Sequence, residues 1–209
     1  MKLAAIEAAL TAEALLCAGG LHEDGATIWL VAPDTRRFWD HLMASPEGRD
    51  GAPDRVDRWS TRVLSAIAHD LGTEALFPFG GPPYQPFLRW AVETGRIWSS
   101  PIGPLVHAEM GLWISFRGAL RLPGHHEVPP QAARPCDTCP APCTTACPVG
   151  AFEGGQYDVP ACRAHVSSDA GTACRTGCLA RAACPVGPQF RPPHDQARHH
   201  MASFLGQRP

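Results

Sequence analysis

The chain has 209 residues, 44% hydrophobic and 18% charged, with a formal net charge of −2 at pH 7. That length suffices for one good-sized domain and a smaller one, and the near-neutral charge leaves no electrostatic footprint for nucleic acid. No apolar stretch approaches the roughly 20 residues of a membrane span, so the sequence predicts a soluble, cytoplasmic protein with neither a nucleic-acid partner nor a membrane span.

Residues 3–14 place Leu3, Ile6, Leu10 and Ala14 at helical spacing. The segment superficially resembles a secretory leader, but Glu7 and Glu13 interrupt the apolar stretch and Leu16 precedes Cys17 where a small residue belongs. An amphipathic helix is expected instead, with Cys17 as a small buried hydrophobe in a helix rather than a ligand. Residues 26–32 (ATIWLVA) read as a buried strand ending at Pro33. Asp34 then caps a helix to about Ala44. Residues 54–71 form a long helix with Val56, Trp59, Val63, Ile67 and Leu71 on one stripe, closed by Gly72. A strand over 74–77, a helix over 85–93 ended by Gly95, and strands over 105–107 and 111–122 complete an α+β pattern.

Residues 123–135 (PGHHEVPPQAARP) are rich in Pro and poor in apolar residues, which predicts an extended linker. The expected organisation is a domain over 1–122, this linker, a cysteine-rich segment over 136–188 and a polar tail over 189–209.

Eight of the nine cysteines fall between Cys136 and Cys184, as C-x2-C-x3-C-x3-C-P followed by C-x11-C-x3-C-x5-C-P. Four grouped thiolates hold a [4Fe–4S] cluster, and in two-cluster ferredoxins the fourth cysteine of such a run ligates the other cluster. The eight therefore divide into Cys136, Cys139, Cys143 and Cys184 for one cluster and Cys147, Cys162, Cys174 and Cys178 for the second. A disulfide framework would need an oxidising compartment. A zinc ribbon would need two C-x2-C knuckles, and only Cys136–Cys139 is one. The segment has few large apolar residues, so cluster binding is expected to supply its folding free energy.

Residues 76–122, with FPFGGPPYQPFLRWA, SPIGPLVH and GLWISFRGAL, resemble the cobalamin-processing proteins of the methylmalonic aciduria type C family. They are similar, more distantly, to the corrinoid domains of epoxyqueuosine reductases and reductive dehalogenases, which also carry a two-cluster ferredoxin segment after that domain. The resemblance implies a nitroreductase-like α+β domain that binds cobalamin, followed by a small bacterial-ferredoxin-like segment feeding it electrons. It implies an oxidoreductase of the cobalamin reductase or decyanase type, with a corrinoid small molecule and an electron-donor protein or reductant as partners. Pocket residues under it are Phe79, Gly80, Gly81, Pro101, Gly103, His107, Trp113, Ser115 and Arg117. The sequence departs from epoxyqueuosine reductases at Ser99-Ser100-Pro101, where they carry a proton-donating Asp, and it lacks their helical-repeat tail. Both departures argue against a tRNA substrate.

The same residues have plainer readings. Over 111–117, alternation sets Leu112, Ile114 and Phe116 against Trp113, Ser115 and Arg117, as in any strand with one core face. The Phe77–Pro83 stretch reads either as a turn or as a loop whose glycines let a planar ligand approach. His107 reads as a hydrogen-bonded strand-end histidine or a cobalt ligand. Two other functions fit the cysteines: a non-catalytic electron carrier for a partner reductase, or a flavin-dependent reductase. The latter lacks a basic, glycine-flanked phosphate site.

Overall fold

Asp24 and Gly25 both take left-handed backbone, at φ 48° and 71°, as a two-residue type I′ turn requires. The turn folds β1 (Leu15–Glu23) onto β2 (Ala26–Pro33), from Glu23 opposite Ala26 to Leu15 opposite Pro33, with a bulge between Cys17 and Gly19. β2 also pairs antiparallel with β6 (Gly118–Pro123), and β6 with β3 (Glu74–Leu76), giving the order β1-β2-β6-β3. The central position of β2 explains its unbroken apolar run, for all its residues are buried.

This computed structural model describes residues 1–153 and 156–207. It is mixed α+β, in two units: Met1–Ile97 with Ser115–Ala133, and Trp98–Ile114 with Arg134–Pro209. The division departs from the expected domain ending at 122, because residues 98–114 pack with the cysteine-rich segment. Residues 154–155 of that segment and 208–209 of the tail lie outside the described residues.

In the first unit, α1 (Leu3–Ala12) buries Ile6 and Leu10. α2 (Phe38–Ala44) and α3 (Pro46–Arg49) lead to α4 (Arg55–Leu71), which buries Val56, Trp59, Val63, Leu64 and Ile67 and ends at left-handed Gly72. These side chains share one core with Trp29, Val31 and Leu120 of the sheet. At its centre Phe38 meets Trp59 edge-on, with ring centroids 5.3 Å apart. α5 (Phe87–Glu93) follows a loop after β3.

Three expectations need correction here. Cys17 lies in β1, not in a helix: Ala14 turns left-handed at φ 54° and breaks the helical path. Residues 112–117 form no strand, and Leu112, Trp113 and Ile114 are all buried, so no face alternates. Left-handed Gly111 and the Trp113 N–H to Met110 carbonyl bond fold that stretch into a turn. The stretch 124–133 is no free linker. Trp29 Nε1 donates to the Glu127 carbonyl at 2.9 Å, Arg96 Nη1 to the Pro130 carbonyl at 2.7 Å, and the Ala132 N–H to the Gly95 carbonyl at 3.0 Å.

In the second unit, β4 (Ile97–Ser99) pairs with β5 (Leu105–His107). The cysteine-rich segment forms short 3-10 turns, α6 (Val159–Ser167) and α7 (Leu179–Ala182). Ile102, Val106 and Leu112 pack with Cys143 and Ala180, with six further side chains including Cys136, Cys147, Cys178 and Cys184 around them. Residues 98–114 thus supply apolar volume that the cysteine-rich segment lacks. The polar tail is structured: α8 (His194–Phe204) buries Ala197 and Gln196, and Arg163 donates to the Phe204 carbonyl. Among the described residues, no helix is long and apolar enough to cross a membrane.

Candidate metal centre

Six of the eight clustered cysteines sit in or beside a local element that fixes them. Cys136 and Cys143 lie in 3-10 turns begun by Pro135 and Pro142. Cys162 rides on α6, whose first turn is capped by Asp158 Oδ1 accepting from the Ala161 N–H at 2.9 Å. Cys174 lies in the 3-10 turn Asp169–Thr176, Cys178 caps the start of α7, and Cys184 follows its end. None of the nine cysteines is in a disulfide.

The thiols sort by electrostatic contact. Burial raises the Cys143 thiol above its ordinary value, and the nearby Cys184, Cys136 and Cys139 raise it further. Burial likewise raises Cys136, which interacts with Cys139 and Cys184. On the other side burial leads again: Cys162 interacts with Cys178 and Cys147, and Cys174 with Cys178, Cys162 and Cys147. All of these pairings stay within the quartets that the spacing predicts. Cys184 joins the first three cysteines across the length of the segment, and Cys147 joins the later three.

The first quartet lines a small apolar pocket together with Ser100, Pro101, Val106, Leu112 and Val186. Ser100 Oγ is buried there and bonds to no protein atom. A buried hydroxyl without a partner costs about 1–3 kcal/mol, and a sulfur-rich group held by the four thiolates would accept its proton. Cys139 Sγ already accepts from the Ala141 N–H and Cys147 Sγ from the Ala151 N–H, both at 3.4 Å. Tyr157 stacks on Phe152 with ring centroids 4.8 Å apart, and burial together with the neighbouring Cys162 pushes its phenol up. The donor set fits an iron–sulfur cluster: soft thiolates, amide and hydroxyl donors aimed at sulfur, and apolar walls. Among the described residues no three Cys, His, Asp or Glu side chains stand close enough together to hold a metal ion.

The nine residues implicated in a corrin pocket fall in different units. Phe79, Gly80, Gly81, Ser115 and Arg117 belong to the first, and Pro101, Gly103, His107 and Trp113 to the second. In the first, Phe77 and Phe79 lie 5.3 Å apart and 31° from parallel, beside exposed Gly80. Gly81 lets the Tyr84 ring fold back on the backbone, for a Cβ there would sit 2.5 Å from it. Tyr84 and Leu88 are 68% and 70% exposed, an apolar surface beside this loop. Arg117 bonds Asp57 at 3.4 Å, yet burial prevails over the pairing and pushes the Asp57 carboxyl up and the guanidinium down. Ser115 is exposed.

In the second unit, Pro101 faces the cysteine cavity and Gly103 closes a turn onto the Ser100 carbonyl. His107 is buried, and its Nδ1 accepts from the Glu109 and Met110 N–H groups at 3.0 and 3.1 Å, as a turn-bracing histidine does. Trp113 is covered by Arg181, whose guanidinium carbon lies 5.0 Å from its ring centre. Ser100, Tyr157 and Arg181 were not legible as site residues. Only the position of Arg181 midway between two cysteines hints at a role.

No family model matches the chain, and no curated protein is significantly similar to it.

Proposed function

We propose that the chain is a two-cluster iron–sulfur redox protein, with Cys136, Cys139, Cys143 and Cys184 ligating one [4Fe–4S] cluster and Cys147, Cys162, Cys174 and Cys178 the other. The observation that carries this reading is the segregation of eight thiols into two quartets, each taking one member from the other half of the segment. Such clusters supply reversible one-electron transfer. The protein's own part is to shelter the thiols, aim the Ala141 and Ala151 amides at sulfur, and wall the first quartet with Ile102, Val106 and Leu112.

The electron acceptor in this reading is cobalamin, bound by a nitroreductase-like first unit. It rests on the resemblance of residues 76–122, supported by the Phe77–Phe79 ring pair and the exposed Tyr84 and Leu88 beside a glycine-bearing loop. The overall reaction balances with one electron from an external donor protein: cob(III)alamin becomes cob(II)alamin, and its upper ligand leaves as an anion such as cyanide.

Anaerobic reconstitution followed by titration with cobalamin tests both parts. The account predicts iron and sulfide in the ratio of two [4Fe–4S] clusters per chain and a shift of the cobalt absorption bands on binding. Intact clusters without any band shift reject cobalamin and leave an electron carrier. Failure to take up iron and sulfide rejects the whole reading.

A further inference from the structure

Charge is unevenly placed along the chain. Residues 159–209 hold six arginines and two aspartates, with no lysine and no glutamate, in a chain whose net charge is −2. That is a formal +4, which leaves −6 on residues 1–158. Two of these arginines sit directly beside ligands of the second quartet. Arg163 follows Cys162 on α6, and Arg175 follows Cys174 in the 3-10 turn Asp169–Thr176. Arg198 lies on α8, which packs on that turn.

The end of α6, the 3-10 turn and α8 enclose an open cleft. Met201, Ala202 and Leu205 supply its apolar lining, and Arg175, Arg198 and Thr172 a polar one. Arg175 is held in place: its Nε donates to the Val166 carbonyl at 2.9 Å and its Nη2 to the Ser168 carbonyl at 2.5 Å. Arg163 is held likewise, with Nε donating to the Phe204 carbonyl, next to Leu205, at 3.0 Å. Arg198 is exposed. Among the described residues none of these three arginines pairs with a carboxylate, and neither Asp169 nor Asp195 lines the cleft. Apolar surface beside arginine is the composition of a protein–protein contact. Charges that no internal partner neutralises draw a partner of opposite sign. None of the first quartet's cysteines lies on these three elements.

We propose that this cleft docks the protein's electron donor, and that the donor is an acidic redox protein. The proposal rests on the two-cluster reading, which calls for an external donor. Electron transfer weakens steeply with distance, and a donor seated here stands beside the elements that carry Cys162 and Cys174. One electron passes: the donor's reduced centre loses it, the cluster gains it and becomes one charge more negative, and no bond forms or breaks. Nucleic acid fits the cleft less well, because none of the lining side chains is an aromatic ring on which a base could stack.

The test is stopped-flow electron exchange between the reconstituted full chain and a flavodoxin of strongly negative net charge, run in whichever direction is downhill. In the donating direction the flavin hydroquinone anion becomes the neutral semiquinone. The second-order rate should fall by about tenfold as salt rises from about 0.01 to about 1 M, over which the Debye length shrinks from about 30 to about 3 Å. Arg198→Glu should lower the low-salt rate by about fivefold and flatten its salt dependence, as loss of a charge at the rim of a contact does. Arg175→Gln should act in the same direction, and Arg198→Lys should keep the wild-type behaviour. Arg49→Glu makes the same charge change at an exposed position on α3 of the first unit, and should leave the rate within about twofold. Reduction by photoreduced deazariboflavin, which is small and neutral, should match wild type in every variant. A salt-independent rate overturns the proposal while leaving two clusters standing. An Arg198→Glu rate equal to wild type, matched by Arg49→Glu, or equally slowed with deazariboflavin overturns it as well. Single-stranded RNA bound at about 0.15 M salt, with no salt-dependent exchange, overturns it in favour of a nucleic-acid face. Wild type without iron and sulfide overturns the two-cluster reading itself.

Discussion

Ser100 and Cys143 line one cavity, and the Ser100 hydroxyl has no protein partner there. Ser100 precedes the cysteine run in sequence, so the first quartet is completed by a segment outside its own motif. Ser100→Ala should fold and take up the same iron as wild type. Loss of one hydrogen bond to a cluster sulfur, worth about 1 kcal/mol net, should lower one reduction wave by roughly fivefold in equilibrium. The wave affected, read by an EPR-monitored redox titration, should be that of the cluster on Cys136, Cys139, Cys143 and Cys184.

Gly111 holds that segment against the loop after Cys184. Its φ is 57°, and a Cβ there would lie 2.1 Å from the Val186 carbonyl oxygen. Gly111→Ala therefore combines left-handed strain, about 1–3 kcal/mol, with a backbone clash. Iron retention under chelator challenge should fall, while the tryptophan fluorescence of the first unit stays native. Unchanged retention would mean the loop moves aside freely.

Trp29 ties the Pro-rich stretch to the sheet through its Nε1 bond to the Glu127 carbonyl. Trp29→Phe keeps an aromatic ring and removes the donor, at a cost of about 1 kcal/mol or more once the carbonyl loses its partner. Limited proteolysis should then cut within residues 124–133 faster than in wild type. Deleting the core ring of Trp59 is far more severe: Trp59→Ala should cost about 3–5 kcal/mol in denaturant unfolding.

Glu47 and Arg62 give the first unit an acid-sensitive contact. Hydrogen bonds from the Arg62 guanidinium, at 2.6 and 3.0 Å, hold the Glu47 carboxyl down at about 2 from its ordinary 4.5. A carboxylate with a depressed folded-state pKa stabilises above its unfolded value and loses that contribution as the pH falls through the folded one. Glu47→Gln should thus be less stable than wild type at neutral pH, and the gap should narrow between about pH 4.5 and about 2. A constant gap across acid unfolding curves would show that the pair contributes no pH dependence.

Periodicity made α4 and β2 legible, because each carries its own pattern: a helical stripe through Val56, Trp59, Val63 and Ile67, and an unbroken apolar run between two partner strands. β1 was harder, since Gly19, Gly20 and Cys17 dilute its pattern, yet the Asp24-Gly25 turn is the strongest short-range hairpin signal a sequence carries. The alternation over 111–117 misled because tertiary burial of Leu112, Trp113 and Ile114 together outweighs a two-residue period. The Pro-rich stretch has the composition of a linker, and its anchoring depends on long-range bonds from Trp29 and Arg96 that no local pattern announces. Cysteine spacing divides the eight thiols into two quartets because ligand number and order constrain a two-cluster segment. Ser100, Tyr157 and Arg181 are placed by packing, which spacing does not encode.

The central claim is the crossed pairing of the two quartets, and ligand-by-ligand EPR of reconstituted Cys→Ser variants tests it most directly. The account predicts that Cys184→Ser alters the same cluster signal as Cys139→Ser, and that Cys147→Ser alters the same signal as Cys174→Ser. A Cys184→Ser protein whose change coincides with that of Cys174→Ser, with the Cys139→Ser signal untouched, would contradict it.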